Sequence, residues 1–541
     1  MNTNINVSIR RLTNTFIILL LVISLIAAYV QISDQAFYNG PALAHGQYNA
    51  GGQCPPYNAP IRGTIYDRNG VKLAWSVPDA NATCGYKRVY ADPSLSPLIG
   101  YFSYQYGTAG IEATYNDWLS GTQHGETFPD VTSKLLHRPR YGNDLYLTID
   151  ERLQQQADHN FDLQFPNGPA YVGYPCETSG TSANGSMIVE NPNNGEILAM
   201  VSHPYFDPNQ IDNPTYWQQI NSDPNQPLLN RATQGQYDPG STFKTLTLMA
   251  ALNEGTVSLD TQFDKNTAVY YTTPDGDVIN WYDYINGVWP ALNFPITLQD
   301  AYAFSDNSLY AREAVNLGAD KWLSYVRDFG IETPASGMPV VSSIPFDAPQ
   351  SQSTAFNAET NGQPTQVNDS LLGESGFGQG QLFVTPLTME EITSAVAADG
   401  TIYQPHVGWK EVPHGTASSD VLPKQAIVYG QPMRPETAQA VRKAMWAVTS
   451  YGTANTLQPY NGKTLAQTGT FEGGKTGTGQ TDQQNPQTWW ISLAPDDQAP
   501  SANSGAKYAI TLMKEHSGEG ACQVFVSDTV YQYALANNIG Y

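Results

Sequence analysis

The sequence predicts an α+β protein: an N-terminal transmembrane helix, a small mainly-β module, and a larger domain whose antiparallel sheet is packed with helices. Three observations lead there. Strand–turn–strand signatures stand at 61–74 and 186–202, helical patterns fill a long middle stretch, and three strand patterns follow one another at 474–514 before a terminal helix. An order of strands, helices and strands again gathers the distant ends of the chain into one sheet. At 541 residues the chain is too long for a single core. The expected layout is a cytoplasmic tail at 1–15, a membrane anchor at 16–32, an N-terminal non-catalytic module at 33–150 and the larger domain at 151–541.

Taken in order, Arg10 and Arg11 precede an apolar run from Phe16 to Ile32, broken only by Ser24 and Gln31. As a helix it spans about 25 Å, close to a hydrocarbon core of about 30 Å. The basic flank places the N-terminus in the cytoplasm and the rest outside, at the plasma membrane. A cleaved signal peptide is the alternative, but the small-residue site Ala42-Leu43-Ala44 lies far beyond the run. A Gly-, Pro- and Asn-rich linker reaches Pro60. Ile61 to Ala74 then reads as a hairpin around Asn69-Gly70, and Leu145 to Ile149 as a strand. Asp150 caps a helix with Leu153, Ala157 and Phe161 on one face. Residues 162–184 are loop-like, and a second hairpin turns at Asn191 to Gly195. Ser241 to Leu252 reads as a buried helix stopped by Gly255, and Thr385-Pro386 opens another. Val441 to Val448 is helical, Gly474–Gly479, Trp489–Ala494 and Tyr508–Lys514 are strands, and Val524 to Ala536 is the last helix.

A hydrophobic content of 40% excludes a mainly disordered chain, and a net charge of −23 argues against nucleic-acid binding. The four cysteines, Cys54, Cys84, Cys176 and Cys522, suit an exported protein. Of three pairings, Cys54–Cys84 with Cys176–Cys522 is the expected one; four unpaired thiols are the alternative. No CxxC and no nearby histidine spacing supports zinc.

Chemistry concentrates in three short elements. In Pro239-Gly240-Ser241-Thr242-Phe243-Lys244, residues three apart share a helix face, so Lys244 can act as base for the Ser241 hydroxyl. By itself this is weak, since Ser504-Gly505-Ala506-Lys507 repeats the spacing in a loop. Ser305-Asp306-Asn307 offers a hydroxyl to relay a proton and an amide to hold a peptide carbonyl. Lys475-Thr476-Gly477-Thr478 offers a second cation that lowers the pKa of Lys244 and attracts a carboxylate, two hydroxyls, and a glycine that permits close backbone approach. Gly376-Phe377-Gly378-Gln379-Gly380 looks like a phosphate loop but lacks a lysine, and Asn191 to Gly195 lacks the spaced carboxylates of a calcium loop; both read as turns. Nothing positive supports a Ser-His-Asp triad.

In this order the three elements form the set shared by penicillin-binding proteins and serine β-lactamases. Longer matches make the chain resemble a class B penicillin-binding protein: Arg62-Gly63-Thr64-Ile65 through Asp67-Arg68-Asn69-Gly70, Thr108 to Glu112 with Leu119-Ser120-Gly121, Gly195 to Met200 with Asp207-Pro208-Asn209, Asn230-Arg231-Ala232, Tyr237 to Gly240, and Gly378-Gln379-Gly380 with Val384 to Leu387. Arg88-Val89-Tyr90, Gly100 to Ser103 and Tyr106-Gly107 are similar to the penicillin-binding protein A subgroup, with its compact N-terminal module. No region similar to a glycosyltransferase precedes the first hairpin.

The resemblance implies a penicillin-binding-protein/serine β-lactamase-like transpeptidase domain at 151–541 and a monofunctional D,D-transpeptidase. Such an enzyme cross-links peptidoglycan stem peptides, is acylated by β-lactams, needs no metal or organic cofactor, and works beside a separate glycosyltransferase. It implies Ser241 as nucleophile, Lys244 as base, Ser305 as proton relay and Asn307 as donor-peptide ligand. Lys475, Thr476, Gly477 and Thr478 line the substrate, and the N–H groups of Ser241 and Thr478 form the oxyanion hole. Two positions depart from the pattern: Asp306 is usual in class A β-lactamases, whereas class B enzymes often have a small residue there. After the third element the family commonly has a histidine or alanine before an aromatic pair, and here Gln487-Thr488-Trp489-Trp490 stands instead. The rival readings are a D,D-carboxypeptidase or β-lactamase of the same superfamily, and a catalytically silent scaffold or β-lactam sensor.

Overall fold

The hairpin at residue 61 forms the middle of a five-stranded sheet in a computed structural model of the chain. Ile65–Tyr66 pairs antiparallel with Lys72–Pro78, which pairs with Tyr86–Tyr90. On the other side Ile65–Tyr66 runs parallel to Asp144–Leu147, and the fifth strand, Gly408–Val412, comes from far down the chain. Asp347 ties this strand in: its carboxylate accepts the N–H groups of Val407 and Gly408 at 2.7 and 2.8 Å and the Tyr115 hydroxyl at 2.7 Å. Ile65, Leu73, Ala74, Leu145 and Leu147 fill the core beneath. The structure describes residues 10–26, 60–122, 140–163, 184–281, 292–331, 344–351, 353–355, 367–454, 468–480, 486–498, 505–517 and 520–541.

The second sheet gathers the distant ends as expected. Its order is Gly473–Gly479, Gln487–Ala494, Tyr508–Lys514, Gly185–Asn191, Glu196–His203, antiparallel throughout. Helix Glu151–Phe161 starts where the Asp150 side chain accepts from Arg152 and Leu153 N–H, and its Leu153, Ala157 and Phe161 are fully buried. With Val526, Val530 and Tyr531 of the last helix, Val524–Asn537, they form one core with the sheet. Helix Pro386–Ala397, capped by the Thr385 side chain, packs on strands Gly185–Asn191 and Tyr508–Lys514.

That helix carries Glu390 and Glu391, both buried, close to the buried Glu190 of the sheet. Burial pushes Glu190 up to about 8 and both helix glutamates well above the usual carboxyl range, so the folded state holds these protons longer than the unfolded chain. The stabilisation is full below the unfolded pKa of about 4.3 and is lost as pH rises through the raised folded values. Glu390→Gln, which keeps shape and removes ionisation, is expected to gain in Tm over the native protein as pH rises from 5 to 9. A constant difference across that range would refute this.

Residues 10–26 are helical with their apolar side chains exposed. The rest of the expected anchor lies outside the described residues, and among those described no helix is long and apolar enough to cross a membrane. Cys84 is disulfide-bonded. Cys54 and Cys176 lie outside the described residues, as does the side chain of Cys522.

Candidate active site

The turn that carries Ser241 is shaped by glycine. Gly240 has φ +54°, and a Cβ there would stand 2.4 Å from the Thr478 carbonyl oxygen, so only glycine lets the turn approach that strand. Residues Gly240–Phe243 form a 3-10 turn, and the α-helix begins at Lys244 and runs to Glu254, ending on left-handed Gly255. The α-helix expected from Ser241 thus begins one turn later, and Ser241 stands in the 3-10 turn ahead of it. Leu246, Leu248, Met249 and Ala250 bury the helix on several faces, which holds Lys244 rigidly.

The structure brings the three elements together. Lys244 Nζ lies 2.9 Å from Ser241 Oγ, 3.1 Å from Ser305 Oγ, 2.8 Å from the Ser305 carbonyl oxygen and 2.6 Å from Asn307 Oδ1. Lys475 Nζ lies 3.0 Å from Ser305 Oγ, which therefore bridges the two lysines. Both lysines are fully buried. Burial, then the Lys475 charge, lowers the Lys244 pKa far below the usual lysine range, against a weaker opposing pull from Asp306. Burial alone brings Lys475 down to about 7. A neutral Lys244 has a lone pair to accept the Ser241 proton while its two N–H bonds donate elsewhere.

Ser305 adopts φ +62°, a left-handed conformation rare outside glycine and costly for serine. Asp306 explains itself as the N-cap of helix Asn307–Leu317: its carboxylate accepts the Leu309 N–H at 3.0 Å. Fully buried, it is pushed up to about 7. On strand Gly473–Gly479, Thr476 Oγ1 lies 2.9 Å from Thr453 Oγ1, and Thr478 is half-exposed. Gly477 does permit a close approach, but by the Ser241 turn rather than by a substrate: a Cβ there would meet Thr242 Cγ2 at 2.7 Å and the Pro239 oxygen at 3.0 Å.

The segment Gly376 to Gly380, read as a turn and as part of the family match, also belongs to the site. Gly378 accepts the Gly240 N–H at 2.9 Å, and Gln379 Nε2 donates to the Thr478 carbonyl at 3.3 Å. A Cβ on Gly378 would sit 1.8 Å from the Gly240 oxygen. The paired glycines were the visible signal. The decoy Lys507 instead donates to Asn538. Among the described residues no group of three or more His, Cys, Asp or Glu side chains is placed to hold a metal ion.

Residues 185–503 match the family model described as penicillin binding protein transpeptidase domain, and residues 62–145 match the penicillin binding protein A dimerisation domain. The chain belongs to the penicillin-binding protein transpeptidase family. Within that family it is a class B protein similar to penicillin-binding protein A. It is 29% identical over 462 residues to peptidoglycan D,D-transpeptidase PbpA of Mycolicibacterium smegmatis, covering 83% of each chain. It is 25% identical over 539 residues to PbpA of Mycobacterium tuberculosis, covering 95% of this chain and 94% of that one. The crystal structure of the M. tuberculosis protein shares the fold, with a TM-score of 0.69 at 24% identity over 88% of this chain and 100% of that one; that protein is also known as a ceftriaxone acyl-enzyme complex. Ser241, Lys244, Ser305, Asn307 and Lys475 to Thr478 all fall within the matched transpeptidase segment.

Proposed function

We propose that this protein is a peptidoglycan D,D-transpeptidase that cross-links stem peptides through an acyl-enzyme on Ser241 and is acylated by β-lactams. The carrying observation is the contact of Ser241 Oγ with a buried, pKa-lowered Lys244. In this reading Ser241 attacks the carbonyl between two terminal D-alanines while Lys244 takes its proton. The C–N bond breaks, Ser305 relays a proton to the leaving amine, and D-alanine departs. An amine from a second stem peptide then attacks the ester, losing its proton as Ser241 regains one. Lys475, Thr476 and Thr478 hold the terminal carboxylate. Asn307 spends Oδ1 on Lys244, which leaves its N–H₂ for a donor-peptide carbonyl. The N–H groups of Ser241 and Thr478 receive the oxyanion, each worth about 3–4 kcal/mol in the transition state.

Anchoring completes the reading. The apolar run at 16–32 holds the protein in the plasma membrane with the N-terminus cytoplasmic and the catalytic domain outside, beside a separate glycosyltransferase. The test supplies a peptide ending in D-Ala-D-Ala with an amine acceptor, and in parallel follows fluorescent penicillin on the protein. Cross-linked product and an adduct lasting minutes to hours are expected. Release of D-alanine with hydrolysis alone would make it a carboxypeptidase, rapid penicillin turnover a β-lactamase, and no adduct a silent scaffold.

A further inference from the structure

The two adjacent tryptophans of strand Gln487–Ala494 do different work. Neighbouring residues of a strand face opposite sides of the sheet. Trp489 lies opposite Gly477 in the antiparallel register, and Trp490 opposite Thr476. Both are fully buried. Gly477 leaves a gap in its face that Thr242 and Pro239 of the nucleophile turn fill. Beside that gap the Trp489 indole N–H donates to the Asp238 carbonyl at 2.9 Å, three residues before Ser241. Its ring meets Tyr237 edge-on, with centroids 6.2 Å apart, and the Tyr237 hydroxyl is fixed by Glu515 at 2.8 Å, which also pairs with Arg231. The Trp490 indole N–H instead donates to Glu472 at 2.8 Å, a buried carboxyl that also receives the Ser527 hydroxyl at 2.6 Å.

We propose that Trp489 is a positioning residue for acylation: its indole N–H fixes the turn at Asp238 to the sheet and thereby sets the separation of the Ser241 and Thr478 N–H groups. One of these donors belongs to the turn and the other to the strand, so their spacing is only as firm as the packing between the two. The inference rests on the reading of those groups as the oxyanion hole. Preorganised donors work only at the position where charge develops, and a displacement of about 1 Å can cost about 100-fold in rate.

The test compares Trp489→Phe and Trp490→Phe with the native protein by stopped-flow acylation with penicillin G, separating the non-covalent dissociation constant from the acylation rate constant, and by Tm. Trp489→Phe keeps an aromatic ring and loses the N–H. It is expected to lower the acylation rate constant by about 10- to 100-fold with the dissociation constant unchanged. Trp490→Phe is expected to lower Tm, because Glu472 loses a donor, while acylating within about threefold of the native rate. Native-like acylation by Trp489→Phe, or an equal loss in both variants, overturns the proposal. Absence of acylation in the native protein would instead overturn the transpeptidase reading itself. If Trp489→Phe does not fold, Tyr237→Phe, which frees the ring of its Glu515 tether, provides the same comparison with a smaller expected loss.

Discussion

Ser241→Ala is expected to abolish covalent labelling by fluorescent penicillin, and Lys244→Ala to lower second-order acylation by about 10²–10⁴-fold, the range for loss of a general base. The second figure follows from the site. Lys244 is the buried amine on Ser241 Oγ, and Lys475 reaches Ser305 rather than the nucleophile. The pH profile gives an independent check. In the proposed mechanism the neutral form of Lys244 is the active one, so acylation should rise as pH climbs through its lowered pKa. Lys475 attracts a carboxylate only while charged, and its pKa of about 7 makes acylation fall again above neutrality. The expected profile is a bell. Lys475→Arg should move its descending limb to higher pH, since guanidinium keeps its charge. Persistence of the ascending limb in Lys244→Ala would remove Lys244 from the role of base.

The contrast between what the sequence disclosed and what it hid follows from the range of the interactions. The hairpin around Asn191 to Gly195, the Asp150 cap and the strands at 474–514 are local patterns, and each formed within a few residues of its expected bounds. The three candidate catalytic elements were legible because each is a short string of unusual side chains. Their meeting was expected from the family order, but the way they meet was not, since Ser305 bridges two lysines through a left-handed backbone that no neighbouring residue signals. Asp306 looked foreign because its partner, the Leu309 N–H, is a helix terminus rather than a side chain. Gly378 and Gln379 contact the Ser241 turn and the edge strand across about a hundred residues of chain or more, and paired glycines signal a turn without naming what it packs against. Likewise Gly408–Val412 joins the N-terminal sheet, a pairing set by Asp347 and by packing between the two units.

Glu112→Ala is expected to destabilise the N-terminal sheet by about 3–5 kcal/mol, the cost of breaking a buried charge cluster from one side. The Glu112 carboxylate is fully buried and meets Arg62 Nε, Arg88 Nε at 2.7 Å and the Tyr90 hydroxyl at 3.3 Å. Burial alone would raise its pKa, yet the two guanidiniums outweigh burial and hold it below the usual carboxyl range. Arg62 also stacks over Phe102, 4.7 Å from the ring centre. Without Glu112, two guanidiniums remain buried with no counter-charge among these neighbours, and Arg88 already has one N–H₂ group unpaired. The loss should be regional. Hydrogen exchange should accelerate in strands Lys72–Pro78 and Tyr86–Tyr90, while Gly185–Asn191 and Gln487–Ala494 keep their protection. Penicillin labelling at low temperature should survive, because every contact of Ser241 and Lys244 described above lies within the second unit. Strand Gly408–Val412 tests the boundary between the two. If its exchange follows the N-terminal strands, the catalytic unit is tied to the module through a shared sheet; uniform loss of protection and of labelling would mean that the two unfold as one.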